Sequence, residues 1–352
     1  MHQSSLRAGS RKLIPIFNCD RSRRSFPLRA AHPDEKWSRT PPCAGEKCRP
    51  LIVPPAVTVI AVARSVTCQC SYPKNMEYRR ADELSPLVVS GSHLLGRSLR
   101  LVRALPGGQH ALTLLVADGE IEYVLRQFPV GDDAVVREAE ILDRLIPLGA
   151  IVPRLVAHDS ALERPLIITS AIRGSAPLPT LLLDSIAGEM AGAISPIHAL
   201  DGTGLRPEPH RPPGGDTSIA EQARGEWPLL DRTDRVLSHY DFWCGNTLWD
   251  GDDLVGVVDW SGARDAPRGV DLAWCRLDLI LHGSTDAANI FLTHYERLSG
   301  RTIADITLWD VQAAAQASSA VETWAPNYDG IGRTALTPAL LRQRLDRWIS
   351  AP

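Results

Sequence analysis

The stretch "LSHYDFWCGNTLWDGDDLVGVVDW", residues 237–260, holds four groups that bind metal ions or move protons: His239, Asp241, Asn246 and Asp259. After His239 the chain has the features of a loop that enters a short strand, because Gly245 interrupts helical continuity. The apolar "DDLVGVVDW" predicts a second short strand, with Gly251 at the turn between the two. Two strands joined by a tight turn bring Asn246 and Asp259 together.

The chemistry of these side chains fits phosphoryl transfer. An Asn amide oxygen and an Asp carboxylate are hard oxygen ligands, suited to a Mg²⁺ ion that keeps waters and binds phosphate. Asp241 lies five residues before Asn246, so it can reach the same site and accept a proton from a hydroxyl. A base, two metal ligands and a cation on the phosphates are the groups that phosphoryl transfer needs.

Charge is unevenly distributed along the chain. The net charge of the 352 residues is −3, which gives no indication of a nucleic acid or an anionic membrane as partner. Residues 1–75 carry 13 Lys and Arg against 4 Asp and Glu, whereas the rest carries 25 against 37. We therefore expect residues 1–75 to be disordered or an over-extended start, with Met76 as a natural beginning. A basic targeting or docking tail is the alternative.

Cysteine usage favours a reducing, cytoplasmic location. Five of the seven cysteines lie in residues 1–75, where C-x4-C followed by C-x-C is poor spacing for zinc and no His pair follows closely. Cys244 and Cys275 are isolated and are interpreted as packing thiols. The longest apolar run, residues 51–63, is too short to span a membrane.

Residues 85–175 have the pattern of a small β-rich lobe. Alternating apolar residues and Gly turns in residues 99–128 predict three antiparallel strands. Helical spacing follows within residues 132–149, with Gly149 as a stop, and residues 165–175 begin as a buried strand.

The remainder is predicted to be mainly helical. Residues 178–200 form one or two helices, which Pro196 kinks or divides, and residues 271–349 are mostly helical. The fold class expected is therefore α+β.

The motif H-x-D-x-x-x-x-N, the strand pair and then D-W, thirteen residues after the Asn, closely resemble the aminoglycoside phosphotransferase and choline kinase-like family, relatives of the protein kinases. The resemblance covers roughly residues 85–300. It implies a protein-kinase-like fold, with an N-terminal nucleotide-binding lobe at 76–175 and a catalytic and acceptor-binding lobe at 176–352.

The resemblance also implies roles for residues of the second lobe. Asp241 matches the catalytic base, and Asn246 and Asp259 match the Mg²⁺ ligands. His239 would hold the catalytic loop by hydrogen bonds, and Asp271, in "DLAW", would brace that loop.

In the first lobe, Arg126 matches the kinase Lys that contacts the α and β phosphates, and Glu138 matches its helix partner. Gly107 and Gly108 would form the turn over the phosphates. The segment 169–172, with Thr169 and Ala171, would be the hinge that offers backbone groups to adenine.

Three positions depart from the usual family pattern. Arg126 replaces Lys, and its planar guanidinium grips phosphate and Glu138 with a different geometry. Tyr240 stands where many members have Gly, and Cys244 where many have Pro. Neither of the last two changes removes a catalytic group.

The sequence thus predicts an ATP- and Mg²⁺-dependent kinase that phosphorylates a hydroxyl of a small molecule, with no nucleic-acid or membrane partner. A catalytically silent kinase-like nucleotide binder and an unrelated metal-dependent hydrolase are the alternatives. The acceptor stays open among aminoglycosides, other antibiotics, choline, homoserine and sugars. An acidic pocket would favour a cationic aminoglycoside. The C-terminal region holds five acidic residues that the sequence does not place: Asp278, Asp286, Glu296, Glu322 and Asp329.

Overall fold

The computed structural model describes residues 81–105, 111–209 and 211–350, with side chains from residue 84 onward. The predictions for residues 1–75, for a start at Met76 and for the Gly107–Gly108 turn lie outside these residues. Among the helices described, none is both long and apolar enough to cross a membrane. The boundary between lobes near residue 175 stays a prediction.

A strand-rich first part of the chain is followed by a helix-rich second part. The strands of the described residues are β1 (Arg100–Ala104), β2 (Leu112–Asp118), β3 (Ile121–Gln127), β4 (Leu155–Asp159), β5 (Leu166–Ser170), β6 (Arg235–Ser238), β7 (Thr247–Asp250), β8 (Asp253–Val257) and β9 (Arg264–Pro267). The α-helices of the same residues are α1 (Ala81–Leu95), α2 (Ala134–Arg144), α3 (Leu183–Ile197), α4 (Ser218–Glu226), α5 (Gly269–His282), α6 (Thr285–Ser299), α7 (Ile306–Ser318), α8 (Ala325–Gly330) and α9 (Pro338–Ile349).

The first part is a five-stranded antiparallel sheet in the order β1-β2-β3-β5-β4. Alternate residues of the central strands, such as Leu114, Leu125 and Ile168, point to one face and are fully buried. The three strands predicted within residues 99–128 and the buried strand after residue 165 are confirmed.

Helix α1 packs on this face of the sheet through Leu84 and Leu87, and the sequence analysis did not predict it. Its sequence, "ADELSPLVVSGSHLL", contains a Pro, a Gly and two β-branched Val residues, which are poor helix formers. Burial against the sheet, rather than local propensity, stabilises this helix.

Helix α2 lies between β3 and β4 in sequence, as the apolar spacing predicts. Val135, Ile141 and Leu142 form its buried face. Glu138 is also buried on this helix, although it is charged. A buried carboxylate needs a partner, and α2 brings this one to β3.

The second part is mainly helical, as predicted. Pro196 occupies the last turn of α3, so residues 183–197 form one helix that ends a residue later and is not divided. The Pro lacks the N–H that would continue the hydrogen-bond ladder. Two antiparallel strand pairs, β6–β9 and β7–β8, lie among these helices and carry the motif of residues 237–260.

Candidate active site

The β7–β8 hairpin positions Asn246 and Asp259. Its strands pair with Thr247 opposite Val257, and Gly251 at the turn has φ 62°, which Gly adopts without a steric penalty. The Val258 N–H donates to the Asn246 carbonyl at 2.9 Å, so the pairing continues beyond the open end. Asn246 and Asp259 therefore flank the same end of the hairpin, as the sequence predicts.

Asp241 is held by hydrogen bonds to both of its carboxylate oxygens. Asn246 Nδ2 donates to Oδ2 at 3.1 Å and to the Asp241 carbonyl at 2.9 Å. Trp274 Nε1, on α5, donates to Oδ1 at 3.0 Å. Burial, together with the nearby charge of Asp259, raises the pKa of Asp241 well above its usual value. A divalent cation at this site would favour the ionised carboxylate.

The oxygens next to Asp241 fit a magnesium ion. Because Asn246 Nδ2 donates to Asp241, the orientation of the amide is fixed, and Oδ1 is buried without a hydrogen-bond partner. Asp259 Oδ1 accepts from Ser261 Oγ at 3.0 Å and from Arg126 Nη2 at 3.4 Å. An unpartnered amide oxygen and a carboxylate oxygen are the kinds of ligand that a hard cation prefers.

Two residues of the motif have a left-handed backbone. Among the described residues, Tyr240 (φ 67°) and Asp259 (φ 64°) are the non-glycine residues with positive φ. Such a conformation costs of order 1–3 kcal/mol and clusters at functional sites. At Tyr240, Asp271 Oδ1 accepts from the backbone N–H at 2.7 Å and the Arg264 guanidinium lies 3.7 Å from the ring centroid.

Asp271 and His239 fix the loop that carries Asp241. Asp271 Oδ2 accepts from the His239 N–H at 2.8 Å and contacts His198 Nε2 at 3.0 Å. His239 Nε2 donates to the Val258 carbonyl at 2.9 Å, which ties the loop to the residue before Asp259. Burial opposes ionisation of Asp271, but its hydrogen bond with His198 contributes to holding its pKa below the usual value.

Arg126 connects the five-stranded sheet to Asp259. It lies on β3 and pairs with the buried Glu138 of α2 as well as with Asp259. Burial alone would lower the pKa of Arg126, but the charges of Glu138 and Asp259 more than compensate, so its pKa is raised and it stays charged. The predicted pair of Arg126 and Glu138 is thus brought together. Arg126 contacts Asp259 directly, and Glu138 is linked to Asp259 through Arg126.

The predicted hinge follows the end of β5. Thr169 pairs with Val124, two residues along β3 from Arg126, and the Ala171 N–H donates to the Glu122 carbonyl at 3.3 Å. A few residues later, Ser175 exchanges two backbone hydrogen bonds with Trp249 of β7, at 2.9 and 2.7 Å. The segment from Thr169 to Ser175 therefore connects the sheet to the hairpin.

The sequence analysis missed His198, which contacts Asp271, and Trp274, which contacts Asp241. His198 is a lone histidine at an apolar helix end, and its partner Asp271 is 73 residues away, so no local spacing indicates it. The position of Trp274 was predictable from spacing, because it follows Asp271 by three residues and shares a face of α5 with it.

The fold and the site define a phosphotransferase with a protein-kinase-like fold. The macrolide 2′-phosphotransferase of Brachybacterium faecium shares the fold, with a TM-score of 0.51 at 17% identity over 77% of this chain and 99% of that chain. A spectinomycin phosphotransferase, solved in complex with ADP and spectinomycin, does so with a TM-score of 0.52 at 13% identity over 76% of this chain and 94% of that one. The aminoglycoside phosphotransferase of type (4)-Ia gives 0.52 at 16% identity over 78% and 100%.

The sequence profile of the phosphotransferase enzyme family matches residues 101–311. The chain therefore belongs to the phosphotransferase enzyme family, and the predicted class of enzyme is confirmed. No curated protein matches it in sequence.

Proposed function

We propose that this phosphotransferase is an ATP-dependent kinase that transfers the γ-phosphoryl group to a hydroxyl of a small molecule. The observation that carries the proposal is the amide of Asn246, which holds Asp241 with one end and leaves a buried oxygen unpartnered at the other. This arrangement provides a positioned base beside a site for a hard cation.

In the proposed mechanism, Asp241 orients the acceptor hydroxyl and accepts its proton as the oxygen attacks the γ-phosphorus, while the bond from the γ-phosphorus to the bridging oxygen breaks and ADP leaves. Trp274 and Asn246 restrain the carboxylate, so little rearrangement is needed to meet the acceptor. Asn246 Oδ1 and the Asp259 carboxylate would hold magnesium, which when bound would neutralise charge on the phosphates.

Arg126 neutralises phosphate oxygens from the side of the sheet. Glu138 keeps the guanidinium in place, as the kinase Lys–Glu pair does. We place the base of the nucleotide beside the backbone of the predicted hinge, residues 169–172. A spectinomycin phosphotransferase of the same fold was solved with ADP, which supports the use of a nucleotide here.

Two further assignments follow from this function. We place the protein in the cytoplasm, where ATP is available and where the free thiols of Cys244 and Cys275 are stable. The acceptor is a small molecule, as in the spectinomycin complex.

The alternative of a silent nucleotide binder is less well supported. A binder has no need of a restrained base, yet two side-chain donors, Asn246 Nδ2 and Trp274 Nε1, hold the carboxylate of Asp241.

Acceptor-dependent turnover tests the proposal. The protein is mixed with MgATP and a panel of hydroxyl compounds, and ADP release is measured beside the mass of the acceptor. We expect ADP release to require magnesium and to match a gain of one phosphate on an acceptor. Release of inorganic phosphate alone, with no modified acceptor in the panel, would favour hydrolysis and contradict the proposal.

A further inference from the structure

A buried cluster of three metal-binding side chains lies beside the loop that carries Asp241. Cys244 begins the short turn that leads into β7, and it lies next to Asp278 and His282 of α5. One thiol sulfur, one carboxylate oxygen and one imidazole nitrogen all lie within 4.8 Å of one another. Cys244 is isolated in sequence, so only the fold brings these three groups together.

The spacing within the cluster suits a single metal ion. Asp278 and His282 are four residues apart and therefore share a face of α5, the spacing by which one helix supplies two ligands to one ion. Asp278 Oδ1 and His282 Nε2 are 3.6 Å apart, which is too long for a hydrogen bond. Nitrogen and oxygen ligands on a tetrahedral zinc ion are roughly 3.4 Å apart, so this pair is already close to the required separation.

Two groups of the cluster lack a partner for their polarity or charge. The side chain of His282 is 3% exposed, and its Nε2 is buried without a hydrogen-bond partner. Asp278 is buried to the same extent, and among the described residues this imidazole is the one basic group within 4 Å of its carboxylate. Burial lowers the pKa of His282, which favours the neutral ring and leaves the carboxylate without a cation. A bound metal ion would satisfy both groups.

The surroundings of the cluster support a ligating carboxylate. Asp278 Oδ2 accepts from the Cys244 N–H at 3.0 Å, and Oδ1 accepts from Tyr328 Oη at 2.9 Å. Hydrogen bonds of this kind orient a carboxylate that binds metal. The Cys244 thiol donates to Met190 Sδ at 3.6 Å, a weak bond that a metal ion would replace as the thiol proton leaves to solvent. Asp278 and Tyr328 also line a cavity beside Asp241, so the cluster borders that cavity.

The donor atoms select the kind of ion. A thiolate sulfur, an imidazole nitrogen and a carboxylate oxygen are ligands of Zn²⁺, whereas Mg²⁺ takes oxygen ligands in octahedral geometry. We propose that Cys244, Asp278 and His282 bind a zinc ion, with a water molecule as the fourth ligand. This site is separate from the proposed magnesium site, and it does not depend on the proposed kinase function. Bound zinc would join the turn after Asp241 to α5.

Titration of the full chain with Co²⁺ provides the test, because a thiolate bound to cobalt gives a charge-transfer absorption in the near ultraviolet. Ser replaces the five cysteines of residues 1–75, so that they cannot contribute to the signal: Cys19, Cys43, Cys48, Cys68 and Cys70. EDTA first removes any metal, and the metal-free protein is the reference state here and in any measurement of unfolding. We expect the absorption to saturate at one equivalent of Co²⁺, to disappear with one equivalent of Zn²⁺ and to persist in excess Mg²⁺.

Single substitutions in this background identify the ligands. Cys244→Ala should abolish the absorption, whereas Cys275→Ala, at the other buried thiol of the described residues, should keep it. His282→Gln should weaken zinc binding by more than about 100-fold, since loss of a partner that only orients a ligand already costs roughly 10–100-fold. Tyr328→Phe should fall in that lower range, and His158→Gln, at an exposed position of β4, should bind zinc like the parent. Competition with a chromophoric chelator measures the zinc affinities.

Several results would overturn the proposed zinc site. They are the absence of the cobalt absorption, its survival in Cys244→Ala, and equal zinc affinities of His282→Gln and His158→Gln. The melting temperature of each metal-free variant is measured first, and Cys244→Ser, which also lacks a thiolate, replaces Cys244→Ala if that variant does not fold.

Asp259→Ala separates the zinc site from the proposed magnesium site. This variant should bind zinc within about threefold of the parent, because Asp259 is not part of the cluster. A loss of zinc binding in Asp259→Ala, or displacement of Co²⁺ by Mg²⁺, would place the ion at the magnesium site and contradict the proposal. Affinity for MgATP is measured on the same samples, so failure of the zinc site and failure of the kinase function are distinguished.

Discussion

Asn246 holds Asp241 through its side-chain amide: Nδ2 donates to Asp241 Oδ2 at 3.1 Å, while Oδ1 is buried and has no partner. One side chain thus links the proposed base to the proposed metal site. The two functions are separable, because substitution of Asp259 affects the metal site without touching the hydrogen bond to Asp241.

Asp259→Ala and Asn246→Ala should both weaken magnesium-dependent binding of ATP, and Asp259→Ala more severely. A carboxylate contributes charge as well as an oxygen to a hard cation, whereas an amide contributes the oxygen alone. Calorimetry with ATP, with and without magnesium, measures the effect. Wild-type affinity for MgATP in Asp259→Ala would show that this residue is not a metal ligand.

Arg126→Lys should lower the affinity for MgATP by roughly tenfold, even though Lys is the usual kinase residue. An ammonium lacks the planar fork that contacts Glu138 and Asp259 together. Arg97→Lys is the control, because Arg97 pairs with Asp118 at the surface and is 55% exposed. Equal affinities for the two variants and the wild type would remove Arg126 from the nucleotide site.

Asp271→Asn should reduce the free energy of unfolding by about 3 kcal/mol. Asp271 now accepts hydrogen bonds from the backbone N–H groups of His239 and Tyr240, and in the variant an amide N–H₂ would face one of these donors. Displacement of the loop that carries Asp241 should also lower kcat. Asp310→Asn, which breaks the buried pair with Arg276, is the matched control and should lower stability with little change in kcat. A similar kcat in both variants would show that Asp271 acts on stability alone.

His282 should make a pH-dependent contribution to stability. Burial lowers its pKa in the folded protein, whereas the unfolded chain titrates near the usual value of about 6.5. Above about pH 6.5 the His282 imidazole is neutral in both the folded and the unfolded protein. Below that pH the imidazole gains a proton first in the unfolded chain, so the contribution of His282 to the free energy of unfolding falls as pH decreases. Asp241 and Glu208, whose pKa values are raised, act in the opposite direction.

The difference between wild type and His282→Gln isolates this residue. We expect the free energy of unfolding of the wild type, relative to the variant, to fall between pH 6.5 and 5.5 by up to about 1.4 kcal/mol. Urea unfolding at both pH values measures it. Parallel pH profiles for the two proteins would contradict the assignment.

The site was predictable where its residues are close in sequence. Asp241, Asn246 and Asp259 lie within one loop and hairpin, so turn chemistry and strand period were enough to bring them together. The pair of Arg126 and Glu138 joins neighbouring elements, and the resemblance to a kinase-like family indicated it.

The remaining features depend on long-range packing, which leaves no periodic signal. His198 meets Asp271 from a different helix, and Glu208 and Gln312 reach one cavity from positions 104 residues apart. Helix α1 has poor helix formers and exists because the sheet covers it. Local propensity and spacing do not contain such contacts.

The rate of phosphoryl transfer in Asp241→Asn tests the central claim most directly. The variant keeps the size of the side chain and an oxygen for a hydrogen bond but cannot accept the proton, so single-turnover transfer should fall roughly 10²–10⁴-fold. Affinity for MgATP should stay close to that of the wild type, since Arg126, Asn246 and Asp259 remain. Asp250→Asn, at the exposed tip of the same hairpin, should transfer at the wild-type rate. Wild-type transfer by Asp241→Asn would contradict the assignment of Asp241 as the base.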